Sequence, residues 1–206
     1  MLVIDKPASL AVQEGRTVTK RDSVLGILES HYREKSITPK LVHRLDKDTS
    51  GLLLVAKEQK TAGQLESLFE TRQVGKAYLC LLAGRLPQNE GVIDLPLPGR
   101  DGIPVRAVTR FKVEKRFSDT TLARVRIETG RMHQIRLHFA RLGYPVVMDD
   151  QHGDFAFNKR FRKEVGLKRQ FLHASSLTLN YRGKKRTWSA PLPNDLAQTL
   201  EWLARK

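Results

Sequence analysis

From Tyr78 to Ile127 the chain gives one strand signal after another with no helical period between them, and this succession limits the fold more than any other feature. Tyr78 to Ala83 is an apolar run; Val105, Ala107, Thr109, Phe111 and Val113 take every second position; Ala123, Val125 and Ile127 alternate with Arg124, Arg126 and Glu128. A period of two is that of a pleated strand, whose successive side chains point to opposite faces. The Ala123 to Glu128 stretch therefore has one apolar and one basic face. Parallel neighbours need a crossover helix, so strands in direct succession predict mostly antiparallel pairing and an α+β fold, not a doubly wound one.

The rest of the chain agrees. Tyr181-Arg182-Gly183-Lys184 reads as a hairpin turn between strands Leu172–Tyr181 and Lys185–Ala190. Helical spacing is found in Val24, Ile27, Leu28 and Tyr32, in Ala62, Leu65, Leu68 and Phe69, and in Ile135, His138, Phe139 and Leu142. A last helix is predicted after Pro193, capped by Asn194, with Leu196, Leu200 and Leu203 facing inward. No repeat or low-complexity linker divides the 206 residues, and 40% hydrophobic content suffices for a core, so one domain over residues 1–206 is expected.

Composition narrows the partners. Lys and Arg outnumber Asp and Glu by 37 to 22, a net charge of +15 spread through the chain. Such an excess attracts polyanions, because neutralising phosphates releases counterions. No apolar run reaches membrane-spanning length, the longest being Leu52 to Ala56, and no basic amphipathic helix with an aromatic face stands out. A nucleic acid is the expected partner and a membrane is not. The single cysteine, Cys80, excludes an internal disulfide, and no signal peptide opens the chain, which places it in the cytoplasm or an organelle matrix.

Two stretches carry candidate chemistry. In His43-Arg44-Leu45-Asp46-Lys47-Asp48-Thr49-Ser50-Gly51 a polar turn feeds an apolar strand. Asp46 lies between Arg44 and Lys47, and nearby cations favour the charged form of a carboxylate, which can then act as nucleophile or base. Asp46, Asp48, Ser50 and Gly51 imitate a calcium loop, but its twelfth position needs Glu and is Lys57. In Gly130-Arg131-Met132-His133-Gln134-Ile135-Arg136-Leu137-His138, two Arg, two His and a Gln open an amphipathic helix, a setting that suits an anion. His133 and His138 are five apart and flanked by Arg131 and Arg136, which disfavours a metal site.

These stretches resemble the signatures of the RluA-type pseudouridine synthases, and Lys6-Pro7, Lys76-Ala77-Tyr78-Leu79, Gly143-Tyr144-Pro145 and Phe171-Leu172-His173-Ala174 fall in the family's order. The resemblance spans about residues 2 to 195. It implies a pseudouridine synthase fold: a bent, mostly antiparallel mixed sheet flanked by helices, with a central basic cleft. It further implies an isomerase that converts uridine in RNA to its C-glycoside isomer without metal or organic cofactor. By the same resemblance Asp46 is the nucleophile, Tyr78 stacks on the flipped uracil and takes part in proton removal, and Arg136 pairs with Asp46. Arg44 helps hold the nucleotide out of its stack and Leu172 lies beneath the base, while Arg131, His133 and Gln134 complete the substrate-binding set.

Two positions depart from the family pattern. Met148 precedes Asp149-Asp150 where the family often has Gly, and His152 stands where Tyr is common. The Asp-Asp pair is similar to the RluC-like branch, which makes large-subunit ribosomal RNA the expected substrate. Transfer RNA is the alternative, and a non-catalytic RNA-binding relative or a metal-dependent nuclease are rivals of other classes. A monomeric catalytic domain with no S4-like RNA-binding domain ahead of it is the expected organisation.

Overall fold

The apolar run of Leu52 to Ala56 becomes most of a strand that is buried along its whole length. The computed structural model describes every residue except Arg16, Thr17 and Arg100. In chain order its elements are β1 (Leu2–Lys6), α1 (Val24–Tyr32), β2 (Lys40–Leu41), β3 (Ser50–Ala56), α2 (Gln59–Glu70), β4 (Gly75–Ala83), β5 (Glu90–Asp94) and β6 (Leu97–Pro98). There follow β7 (Pro104–Val105), β8 (Val108–Arg116), β9 (Thr120–Ile127), α3 (Gln134–Arg141), α4 (Phe155–Val165), β10 (Leu172–Tyr181), β11 (Lys184–Ser189) and α5 (Asn194–Ala204). The α+β class is as predicted. The chain forms two compact units: Met1–Gly75 with Ala174–Ala190, and Lys76–His173 with Pro191–Lys206.

In the first unit the strands run in the order β1-β3-β10, with β2 on β3 and β11 on β10. Leu52, Leu54 and Ala56 of β3 pack with Ala62 and Leu65 of α2, with Val74, and with Leu177 and Leu179 of β10. The predicted hairpin is present, Tyr181 opposite Lys184. Its central residues Arg182 and Gly183 have φ of 52° and 74°, the left-handed pair that matches the twist of hairpin strands. Lys184, Lys185 and Arg186 are exposed on β11, and charge along a strand with one neighbour discourages pairing with another chain.

In the second unit β4-β9-β8-β5 pair antiparallel throughout, as the strand succession predicts, with β4 beside β9 and not beside β5. One face of β4 sends Leu81 and Ala83 into a core with Val147, Met148, Phe161, Phe171, Leu196 and Leu203. Residues on the other face follow from the register: Tyr78 is opposite Val125, Cys80 opposite Ala123, and Phe111 of β8 opposite Val125. α3 covers this face, its Phe139 ring meeting Phe111 edge-on with centroids 5.7 Å apart. Cys80 is fully buried, and burial pushes its thiol far above the ordinary range.

Two helix details differ from expectation. Asn194 is the first residue of α5 and makes no capping bond; Pro193 precedes it with an extended ψ of 148°. α4 is not anticipated by apolar spacing, yet its ends are legible: Asp154 accepts from the Phe157 N–H at 2.9 Å, and Gly166 closes the helix at φ 81°. Among the described residues no helix is long and apolar enough to cross a membrane.

Candidate active site

The Asp46 turn is clamped on each side within the first unit. The Thr49 N–H donates to the Asp46 carbonyl at 3.1 Å and closes a tight turn. Lys6 has no exposed surface, and its ammonium donates to the carbonyls of Pro7, Leu10 and Lys47 at 2.7, 2.8 and 2.9 Å. A buried ammonium is tolerated only when its N–H groups are satisfied, and three carbonyls match its three donors. Lys6 therefore ties the first strand to the residue that follows Asp46, which gives the short Lys6-Pro7 motif a physical reason.

The other side rests on Gly51. Its φ is +109°, and a Cβ there would lie 2.3 Å from the Ala174 carbonyl oxygen, so no larger residue fits. His43 accepts the Leu54 N–H on Nε2 at 2.8 Å, which puts its own proton on Nδ1, and its ring stacks on Phe69 with centroids 4.6 Å apart. Asp46 is half-buried between exposed Arg44 and Lys47. The turn presents a carboxylate from a backbone that has little freedom to move.

In the second unit the candidate residues gather around α3. His133 takes a left-handed φ of 51°, which breaks the chain direction just before the helix. Gln134 accepts from the Thr129 hydroxyl at 2.7 Å and the Arg131 N–H at 3.1 Å, and donates to the Val108 carbonyl at 2.9 Å and Thr109 Oγ1 at 3.0 Å. These four bonds use the whole capacity of a buried amide. The Gln134 side chain fastens the turn to β8. His138 is similar in kind, its ring nitrogens meeting Thr109 Oγ1 at 2.9 Å and the Leu95 carbonyl at 3.0 Å, and burial holds it below the usual imidazole range.

Arg136 is buried and held in a fork. Its Nε donates to Asp149 Oδ2 and its Nη2 to Asp149 Oδ1, both at 2.7 Å, and Nη2 also reaches Gln151 Oε1 at 3.3 Å. Two parallel bonds fix the guanidinium plane as well as its position. Asp149 Oδ1 also accepts the backbone N–H groups of Gln151 and His152, each at 3.0 Å. Burial alone would raise this carboxyl, but Arg136 and the two amides outweigh burial and hold it below the usual carboxylate range. Asp149, which the sequence marks only as a branch feature, is thus the anchor of Arg136.

The loop before it explains a departure noted in the sequence. Met148 has a φ of 61°, a conformation that glycine adopts freely and other residues do not. Asn158 of α4 grips both sides of the next peptide, accepting from the Met148 N–H and donating to the Asp149 carbonyl, each at 2.8 Å. The other atypical residue, His152, puts Nε2 at 3.0 Å from His133 Nδ1. Arg131 is exposed, its Nε 3.3 Å from the Arg106 carbonyl.

Tyr78 is buried in β4 on the sheet face that α3 covers. Lys76, two residues earlier, shares that face; its amine lies 3.6 Å from where a Gly130 side chain would begin, and burial lowers it from the usual lysine range. Leu172 is buried at the start of β10, next to Phe171, whose carbonyl accepts from Leu81 and whose N–H donates to Val147. The second unit thus puts Tyr78 and the Arg131–Arg136 segment on one side of its sheet. Sequence reasoning passes over Asp149 and Asn158 as site residues, although an Asp-Asp pair shortly after a buried arginine is a usable signal for the first.

The fold is that of solved RNA-modifying domains. It superposes on the structure titled human RNA Pseudouridylate Synthase Domain Containing 4 with a TM-score of 0.82 and 26% identity, covering 98% of this chain and 89% of that one. Residues 1–141 match the family model described as RNA pseudouridylate synthase, a span that holds Asp46, Tyr78 and Arg136. The chain is 36% identical over 218 residues to ribosomal large subunit pseudouridine synthase D of Nitrosomonas europaea, covering 98% of this chain and 62% of that protein. It is 34% identical over 224 residues to ribosomal large subunit pseudouridine synthase C of Salmonella typhi, covering 100% of this chain and 68% of that one. The chain belongs to the RNA pseudouridylate synthase family. It spans between three fifths and seven tenths of the length of these two curated relatives.

Proposed function

We propose that the protein is an RNA pseudouridine synthase acting on uridines of large-subunit ribosomal RNA. The observation that carries this reading is the clamped turn under Asp46: a half-buried carboxylate on a backbone held by Lys6, Thr49 and Gly51. Pre-positioning of this kind is what a nucleophile needs, since orientation supplies a large part of a barrier reduction. The names of the two curated relatives favour ribosomal RNA, and the charge of +15 suits any RNA.

In this reading the bond between uracil N1 and the sugar C1′ breaks, the base turns, and a bond forms between C5 and C1′. The C5 proton leaves and N1 gains one, so the atoms balance with no co-reactant, metal or organic cofactor. Asp46 supplies the nucleophilic carboxylate, and Tyr78 the aromatic face and a hydroxyl for proton movement. Arg136 takes the family role of keeping the nucleophile charged and aimed. Leu172 forms an apolar floor, and Arg44, Arg131 and His133 contact the RNA. Water must be kept out while the base is detached, because hydrolysis at C1′ would leave an abasic site. Residues 1–206 act as one monomeric catalytic domain in the cytoplasm.

The test is Asp46→Asn, which keeps size and removes charge. Tritium release from RNA labelled at uridine C5 should vanish while RNA binding is retained. Release by the pure variant at a measurable fraction of the normal rate would overturn the assignment.

A further inference from the structure

We propose that one exposed face of α4 is a docking strip for the RNA strand flanking the target uridine; this rests on the RNA-modifying reading above. At about 100° per residue, Phe155, Lys159, Arg162 and Lys163 fall within an arc of about 100° on the helix. All four are exposed, Phe155 at 63%. Phe161 points away from this arc and Asn158 lies to one side of it; both are buried.

The two exposed flanks of this one helix differ in charge balance. On one flank Arg160 pairs with Asp119 at 2.7 Å and with Glu164 at 4.0 Å, and Glu164 pairs with Lys206 at 2.9 Å. On the other, none of Lys159, Arg162 and Lys163 has an ion pair among the described residues. The helix dipole favours cations in the last turn, which accounts for Arg162 and Lys163 but not for Lys159 in the middle or for an exposed phenylalanine in the first turn. A row of cations with an aromatic ring at one end is the composition of a surface for single-stranded nucleic acid: charge for the phosphates and a ring for one base.

The strip is about 12 Å long, room for a short run of backbone. It is mounted on the site itself, because Asn158 on the inner face of α4 grips the loop whose Asp149 holds Arg136. An anionic bilayer is a poorer occupant. A membrane-surface helix needs a wide apolar face, and here the other large apolar residues, Phe157, Phe161 and Val165, are turned toward the core.

The experiment measures binding of the full 206-residue chain to a fluorescein-labelled oligouridylate over a series of KCl concentrations. Three lost phosphate contacts at about 0.7 each should make the log–log salt slope of the variant carrying Lys159→Ala, Arg162→Ala and Lys163→Ala shallower by about 2. Lys159→Ala alone should change the slope by about 0.7. Phe155→Ala should weaken binding about five- to a hundredfold with the slope unchanged, and Phe155→Trp should restore it. On ribosomal RNA the triple variant should show a raised KM and an unchanged kcat.

Wild-type slope and affinity in the triple variant, with an unaltered melting temperature, would overturn the strip. So would a loss confined to phosphatidylserine vesicles. A wild-type chain that binds RNA but never releases tritium removes the enzymatic reading, and the slope comparison still decides the strip.

Discussion

Replacing Asp149 with asparagine is the sharpest test of how the site is held. The aspartate accepts four hydrogen bonds: Oδ2 takes one from Arg136, and Oδ1 takes one from Arg136 and one each from the amides of Gln151 and His152. An asparagine can place its oxygen at the Oδ1 position and keep three of these. Its NH2 then faces the Arg136 Nε–H, donor against donor, and the buried guanidinium keeps its charge but loses the two-bond fork, with Asp150 still 3.8 Å away. Removing one partner of a buried pair costs about 3–5 kcal/mol, against under about 1.5 kcal/mol for a volume-conserving swap of packing alone. Urea unfolding followed by far-ultraviolet dichroism and by tryptophan fluorescence measures the difference; with a slope of about 2 kcal/mol per molar, the midpoint should fall by about 2 M. In an Arg136→Met background the same change should cost much less, because the buried guanidinium that the carboxylate holds is gone. A loss below about 1 kcal/mol in the wild-type background, or equal losses in both, would refute the account of Asp149 as the anchor of Arg136.

Further outcomes are expected. Because the folded Asp149 carboxyl lies below its ordinary value of 3.8, its contribution is complete above that pH and is lost as pH falls through the lower folded value, so the stability gap between wild type and Asp149→Asn should be full at neutral pH and close below about 3.8. Met148→Gly should be the milder of two core truncations: both lose the buried side chain, but glycine relieves a left-handed strain of about 1–2 kcal/mol against an unfolded-state penalty of about 0.4–1, so it should melt above Met148→Ala. The opposite order would show the φ of 61° to be unstrained. Tyr78→Phe should bind RNA almost normally and isomerise about a hundredfold or more slowly in single turnover, since the ring is kept and the hydroxyl lost; a wild-type rate would remove the hydroxyl from the chemistry.

What the chain determined by itself is local. Alternation through Val125 and Ile127 settles which side chains share a face, because the pleat repeats every two residues. The Arg182-Gly183 hairpin and the glycine at position 51 are likewise legible, since turn chemistry depends on the φ that a residue tolerates. α4 was missed because its inner face mixes Asn158 with aromatics and its outer face is basic, so apolar period was a weaker sign than its two caps.

Which polar groups meet once buried depends instead on how the whole chain packs. No rule of composition puts Lys6 at zero exposure; the Lys47 carbonyl that helps hold it comes from 41 residues away, and the cost of desolvating the ammonium is met only where the chain brings those oxygens together. The same holds for Arg136. No carboxylate stands within seven positions of it in the sequence, and its charge is met by Asp149, 13 positions on, at a place set by the Met148 turn and the grip of Asn158. Periodicity is written into each segment, whereas the pairing of buried charges depends on long-range packing, which a single strand or helix does not contain.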